Sequence, residues 1–193
     1  QSMRHINNNE YEYVLVLSGD QLYQMDFRDM INAHRESNAD ITIATIPVTP
    51  EDAPELGIIK ANNEKIITSF IEKPSADLLN DWESDTGDAM KSIGKKYLAS
   101  MGIYIFSKQV LYHLLNEAHP KATDFGKEII PDSIEHFKVN SFQYDGYWTD
   151  IGNIYSFYEA NLALTQDIPP FNLFDNTKTV YSRARMLPPA KIS

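Results

Sequence analysis

Four carboxylates and a lysine stand where segments of this chain change character, and their types suit the handling of a metal-bound phosphate. Asp20 follows the apolar run Tyr13-Val14-Leu15-Val16-Leu17 and the turn pair Ser18-Gly19. Glu72 and Lys73 leave the apolar run Ile66 to Ile71 and stop at Pro74. Asp124 opens the segment Asp124-Phe125-Gly126-Lys127-Glu128, and Asp150 follows Gly146-Tyr147-Trp148-Thr149, just before Ile151-Gly152-Asn153. A carboxylate delivered to the carboxyl end of a strand is well placed to hold a divalent cation against phosphate oxygens. A lysine is a compact cation suited to a phosphate, and a glutamate accepts hydrogen bonds from sugar hydroxyls.

Each position also has a plainer reading. Asp20 and Asp124 could cap the helices that follow them. Glu72 and Lys73 could be a solvated pair ahead of a proline turn, with Pro74 biasing Lys73 toward an extended backbone. As neighbours in a strand they would point to opposite sides. Trp148 could be core, although two glycines and a carboxylate around it favour a loop that binds something. Asp20 and Asp150 are 130 residues apart. Carried on different strand ends, they could converge on one Mg2+, which keeps water and phosphate oxygens as its other ligands.

Other chemistries find no support. The five histidines lack the spacing of a zinc-binding helix, and neither a P-loop nor a serine nucleophile elbow is present. With no cysteine, disulfide frameworks and thiolate metal sites are excluded, and a reducing compartment is permitted. No signal peptide is visible, so a cytoplasmic setting is expected. A net charge of −10 argues against a nucleic-acid binder, which needs a basic face. No apolar stretch is long enough to span a bilayer.

These residues need elements to position them. Short apolar runs predict strands at Tyr13 to Leu17, Ile41 to Ile46 closed by Pro47, Leu56 to Lys60, Ile66 to Ile71, Tyr97 to Phe106 and Ser141 to Tyr144. Helical spacing predicts helices over Asp26 to Ser37 with Asp26 as cap, Lys108 to Glu117, Phe125 to His136 and Asn153 to Thr165. The charged stretch Ser75 to Lys96 reads as a surface excursion with a short helix around Leu78 to Trp82. Asn62-Asn63 reads as a turn between two paired strands. Alternating strands and helices predict an α/β domain with a mixed, mostly parallel sheet flanked by helices. Inside the strand Tyr97 to Phe106, Gly102 marks either tight packing or the close approach of a ligand or another backbone. The chain is 42% hydrophobic, enough for one buried core. The packed unit is expected over residues 1–168, with 169–193 a linker. The start at Gln1 and the Pro-rich end read as an excised piece of a longer protein.

The segments Leu17 to Asp26, Phe70 to Pro74, Tyr97 to Phe106, Asp124 to Pro131 and Gly146 to Gly152 together resemble the sugar nucleotidyltransferase family. Within it they resemble the glucose-1-phosphate adenylyltransferase branch. Glu72-Lys73-Pro74 is the pattern shared across the family, while Ala99-Ser100-Met101-Gly102-Ile103-Tyr104 and Asp124-Phe125-Gly126 point to the branch. The resemblance implies a Rossmann-like, GT-A type nucleotidyltransferase domain. It implies transfer of AMP from ATP to glucose 1-phosphate, giving ADP-glucose and pyrophosphate for glycogen synthesis. It places Mg2+ on Asp20 and Asp150 and the sugar phosphate on Lys73. Gly57, Glu72 and Ser100 become glucose 1-phosphate contacts, and Asp124, Phe125 and Trp148 surround the glucosyl pocket. A homotetramer is the implied assembly for the full-length protein. Gln21 departs from the commoner His, Thr149 from Glu and Asn153 from Thr. The family's glycine-rich nucleotide loop and C-terminal β-helix have no counterpart in the 193 residues, so a chain inactive by itself is expected. A transferase for another sugar or base, or a non-catalytic sugar-phosphate-binding subunit, are the alternatives.

Overall fold

A computed structural model describes residues 10–170 and 172; the expected amphipathic start, Gln1 to Ile6, and nearly all of the expected linker lie outside them. The element order is β1 (Tyr13–Val16), β2 (Gln21–Tyr23), α1 (Phe27–Glu36), β3 (Ile41–Val48), β4 (Gly57–Ala61), β5 (Ile67–Glu72), α2 (Asp88–Ser92), β6 (Tyr97–Ser107), α3 (Lys108–His113), α4 (Ile130–His136), β7 (Val139–Gln143), β8 (Trp148–Asp150) and α5 (Ile154–Leu164). Short 3-10 turns at Ala53–Glu55 and Ala76–Asp81 and wider π turns at Leu114–Ala118 and Phe125–Ile129 complete it.

The main sheet runs β5-β4-β6-β3-β7, with β1 also on β6. It is mixed, as expected, but its parallel share is smaller than expected. β3 and β7 pair in parallel, and the other described pairs of this sheet are antiparallel. The reason lies in β6, the longest strand, which runs against all its neighbours. β3 follows one of its edges along most of its length. The opposite edge is shared: β4 pairs at Leu98 and Ala99, and β1 pairs from Tyr104 to Ser107. Pro47 does not close β3, because it pairs opposite Leu98 within the strand.

Both faces of β6 are buried, which explains its near-continuous apolar sequence. Tyr97, Ala99, Met101, Ile103 and Ile105 face the core cluster that also holds Met30 of α1. Leu98, Tyr104 and Phe106 face a second cluster with Leu111, Leu114, Ile129 and Ile130 from the α3–α4 region. The domain is thus a sheet between helical layers. At the α1 start the Asp26 side chain accepts from the Arg28 N–H, as the cap signal predicted.

Candidate functional site

Small residues on one face of β6 make the site possible. Between Leu98 and Tyr104 the second-cluster face carries only Ser100 and Gly102. Here β6 bulges against β3, between the pairs Ile43–Tyr104 and Thr45–Ser100. The same stretch falls between the β4 and β1 pairings on the other edge. Gly102 has φ +66°, which favours glycine. A Cβ there would meet Gln21 Nε2 at 3.2 Å and Ser18 Cβ at 3.5 Å. Of the two readings of this glycine, close approach of another chain segment is the one found. A cavity of about 380 Å3 opens over this hollow.

β4 and β5 supply the adjoining floor. Gly57 pairs opposite Glu72, and Ile59 opposite Phe70. A Cβ on Gly57 would sit 2.6 Å from Phe70 Cζ and 2.8 Å from Glu72 Oε2, so both side chains lie over a position that only glycine leaves free. Lys73 does not take the extended backbone expected ahead of Pro74. Its φ is +46°, and its N–H donates to the Leu56 carbonyl at 3.0 Å. That bond closes the β4–β5 pairing while the chain turns, and the turn outweighs the proline bias. It also ends the strand alternation, so Glu72 and Lys73 line the same cavity instead of opposite faces. A left-handed backbone at a residue with a Cβ costs about 1–2 kcal/mol, strain of the kind that collects at binding sites.

The long-range convergence depends on a ribbon invisible in the periodicity. β2 and β8, three residues each, pair antiparallel with Gln21 opposite Asp150 and Tyr23 opposite Trp148. The Ile151 N–H donates to the Asp20 carbonyl at 3.0 Å, extending the ribbon by one bond. Asp20 therefore leads into a strand and caps no helix. A Cβ on Gly152 would lie 2.9 Å from Asp150 Oδ1 and 3.4 Å from Asp20 Oδ2, so the two carboxylates border one small space. Ser18 Oγ donates to Asp20, and the Gly152 N–H donates to Asp150 Oδ1 at 2.7 Å. Trp148 combines both of its readings. Its ring packs on the first core cluster, and its indole N–H donates to Gln21 Oε1 at 3.2 Å while lining the cavity.

Asp124 likewise serves twice. Its side chain accepts from the Lys127 N–H at 3.0 Å as a cap, and it lines the cavity. Gly126 lets Asp124 Oδ1 and Glu72 Oε2 come near one another, at 3.5 Å and 3.6 Å from where its Cβ would be. Phe125 stands behind the wall, stacked on Tyr104 with ring centroids 5.8 Å apart, and is not among the residues lining the cavity.

Tyr104, Gln21, Glu55 and Phe70 line the cavity too and were not singled out for chemistry from the sequence. Tyr104 was findable, since it shares a strand face with Ser100 and Gly102. Burial pushes its phenol above the ordinary range; a hydrogen bond with Ser100 opposes this, and the Glu72 and Asp124 charges reinforce it. Tyr104 thus stays protonated, a neutral donor at the cavity wall.

Five carboxylates (Asp20, Glu55, Glu72, Asp124, Asp150) and one cation, Lys73, line the described cavity. An anion entering so acidic a place needs added positive charge. Among the described residues no three acidic or histidine side chains gather as a complete metal cage. Asp20 and Asp150 offer hard oxygen donors at one spot and leave the other positions to water and phosphate, which suits Mg2+. No helix among the described residues is long and apolar enough to cross a membrane. A family model described as nucleotidyl transferase matches residues 1–167. That match spans most of the sequence and includes every side chain placed around the cavity: the chain belongs to the nucleotidyl transferase family.

Proposed function

We propose that the cavity binds glucose 1-phosphate and that the chain carries the acceptor half of an adenylyl transfer from ATP, giving ADP-glucose and pyrophosphate. The observation that carries this reading is the β2–β8 ribbon, which sets Asp20 and Asp150 side by side at a cavity already holding Glu72 and Lys73. Bound Mg2+ would neutralise phosphate charge and orient the oxygens around it. The residues do the rest. Lys73 holds the sugar phosphate, and its left-handed backbone aims the chain inward. Glu72, seated over Gly57, and Asp124 accept from sugar hydroxyls, while Ser100 and Tyr104 offer hydroxyl donors. The attacking sugar-phosphate oxygen is already anionic, so no general base is required; catalysis is positioning and charge neutralisation.

The adenylyl branch rests on the resemblance of Tyr97 to Phe106 and Asp124 to Pro131, and assaying pyrophosphate release by the full-length protein with a panel of nucleoside triphosphates tests it. Preference for UTP, GTP or dTTP would move the chain to a sibling activity. Asp20→Asn should abolish Mg2+-dependent ligand binding and any turnover while preserving the fold, and Lys73→Ala should weaken glucose 1-phosphate about tenfold or more. Unchanged binding in both variants would remove them from the site. The implied homotetramer is tested by analytical ultracentrifugation.

A further inference from the structure

We propose that Gln21 is a specificity-determining donor of this site, its side-chain amide oriented by Trp148 so that the NH2 meets an oxygen of the bound sugar phosphate. The proposal rests on the reading of the cavity as a sugar-phosphate site. The orientation follows from chemistry. An indole N–H only donates. Trp148 Nε1 lies 3.2 Å from Gln21 Oε1, so the amide oxygen is committed to the tryptophan. The NH2 must then point the other way. It lies against the β6 bulge, 3.2 Å from where a Cβ on Gly102 would be, and Gln21 lines the cavity there. Among the described residues that NH2 has no acceptor within hydrogen-bond distance. Glycine at φ +66° lacks the Cβ that would press on that NH2 at 3.2 Å.

The surroundings explain why a neutral donor is useful. Gln21 follows Asp20 and pairs opposite Asp150, so two carboxylates flank it. A carboxylate at this position would add a third negative charge where an anion must bind. An amide instead offers two N–H groups without charge, and its orientation does not depend on pH. Trp148 thereby couples the core to the donor: a half-buried ring packed on the first cluster holds the amide oxygen, and the amide hydrogens face the ligand.

The test uses the 193-residue chain with Trp82→Phe, which leaves Trp148 as the only tryptophan, and compares Gln21→Met, Gln21→Glu and Gln21→His. Without ligand, Gln21→Met should shift the Trp148 emission maximum, because its acceptor is gone, and Gln21→Glu should keep it. Wild-type emission in Gln21→Met would overturn the orientation. Titration with glucose 1-phosphate and Mg2+ follows. Gln21→Met should bind about five- to tenfold more weakly, the worth of one neutral hydrogen bond. Gln21→Glu should be weaker still, and Gln21→His, which regains an N–H, should recover most of the loss. Equal affinity of Gln21→Met and wild type, with Lys73→Ala impaired in the same titration, would sink the role of Gln21 and leave the site reading standing. Equal affinity in all variants, Lys73→Ala included, would sink both.

Discussion

Adding one methyl group at Gly57 should separate ligand binding from stability. The Cβ of Gly57→Ala would stand 2.6 Å from Phe70 Cζ, 3.2 Å from Phe70 Cε2 and 2.8 Å from Glu72 Oε2. Carbon contacts are comfortable at about 3.5–4.0 Å, so both side chains must give way. Glu72 is a flexible acid at a cavity and swings out at little cost. Phe70 is a ring packed on the second core cluster, and overpacking of that kind costs about 1–3 kcal/mol. Alanine in a strand recovers about 0.5–1 kcal/mol relative to glycine. The net loss should be about 1 kcal/mol, a fall in Tm of roughly 2–4 °C for a domain of this size. Binding should suffer more. With Glu72 displaced, a charge-assisted hydrogen bond worth about 1.5–3 kcal/mol is lost, and glucose 1-phosphate should bind about ten- to a hundredfold more weakly. Differential scanning calorimetry and titration calorimetry measure the two effects. Gly19→Ala is the control, because a Cβ there meets nothing within 4 Å. Wild-type affinity and wild-type Tm in Gly57→Ala would refute the placement of Glu72 and Phe70 over this glycine, and with it the sugar side of the site.

Three further outcomes are expected. Lys73→Asn should gain up to about 1 kcal/mol in urea unfolding, since asparagine tolerates the φ of +46° better, while phosphate affinity drops; a loss of stability would mean that the left-handed turn stores no strain. Gly152→Ala should weaken Mg2+ binding at least tenfold in titration calorimetry, because its Cβ would crowd Asp150 Oδ1 at 2.9 Å; undiminished Mg2+ affinity would separate that oxygen from the metal. His34 is 1% exposed, its Nδ1 lies 2.8 Å from Thr42 Oγ1, and its Nε2 has no partner. Burial lowers its pKa, against a smaller upward pull from Asp40. The unfolded chain therefore takes up a proton near pH 6.5 that the fold resists. Stability should be full above that pH and fall as pH drops from it toward the lowered folded value. Chemical unfolding of wild type and His34→Gln between pH 7 and 5 checks this, and parallel curves would exclude His34 as the cause.

Much of the architecture was legible because it is written in local patterns. The apolar runs marked β1, β3, β4, β5 and β6. The spacing of Phe27, Met30, Ile31 and His34 marked α1, and Asp26 its cap. The placement of Asp20, Glu72 and Asp150 at segment ends followed from the same reading. The three-residue strands β2 and β8 were not legible, since three residues carry no period and their partner lies more than a hundred residues away. The balance of the sheet was missed for a related reason: strand direction in β6 is decided by which edges its neighbours take, not by its own composition.

Residue types and their order thus determined which groups could handle a phosphate and which elements would carry them. Tertiary structure alone decided their meeting. It folded Asp20 against Asp150 through the β2–β8 ribbon, turned Lys73 to the side of Glu72, and set Gln21 between Trp148 and Gly102. The physical reason is range. Helix caps and strand periodicity are settled within a few residues, whereas a site assembled from six separate segments exists only after the chain has closed long loops and the packed core has fixed the register in which they meet.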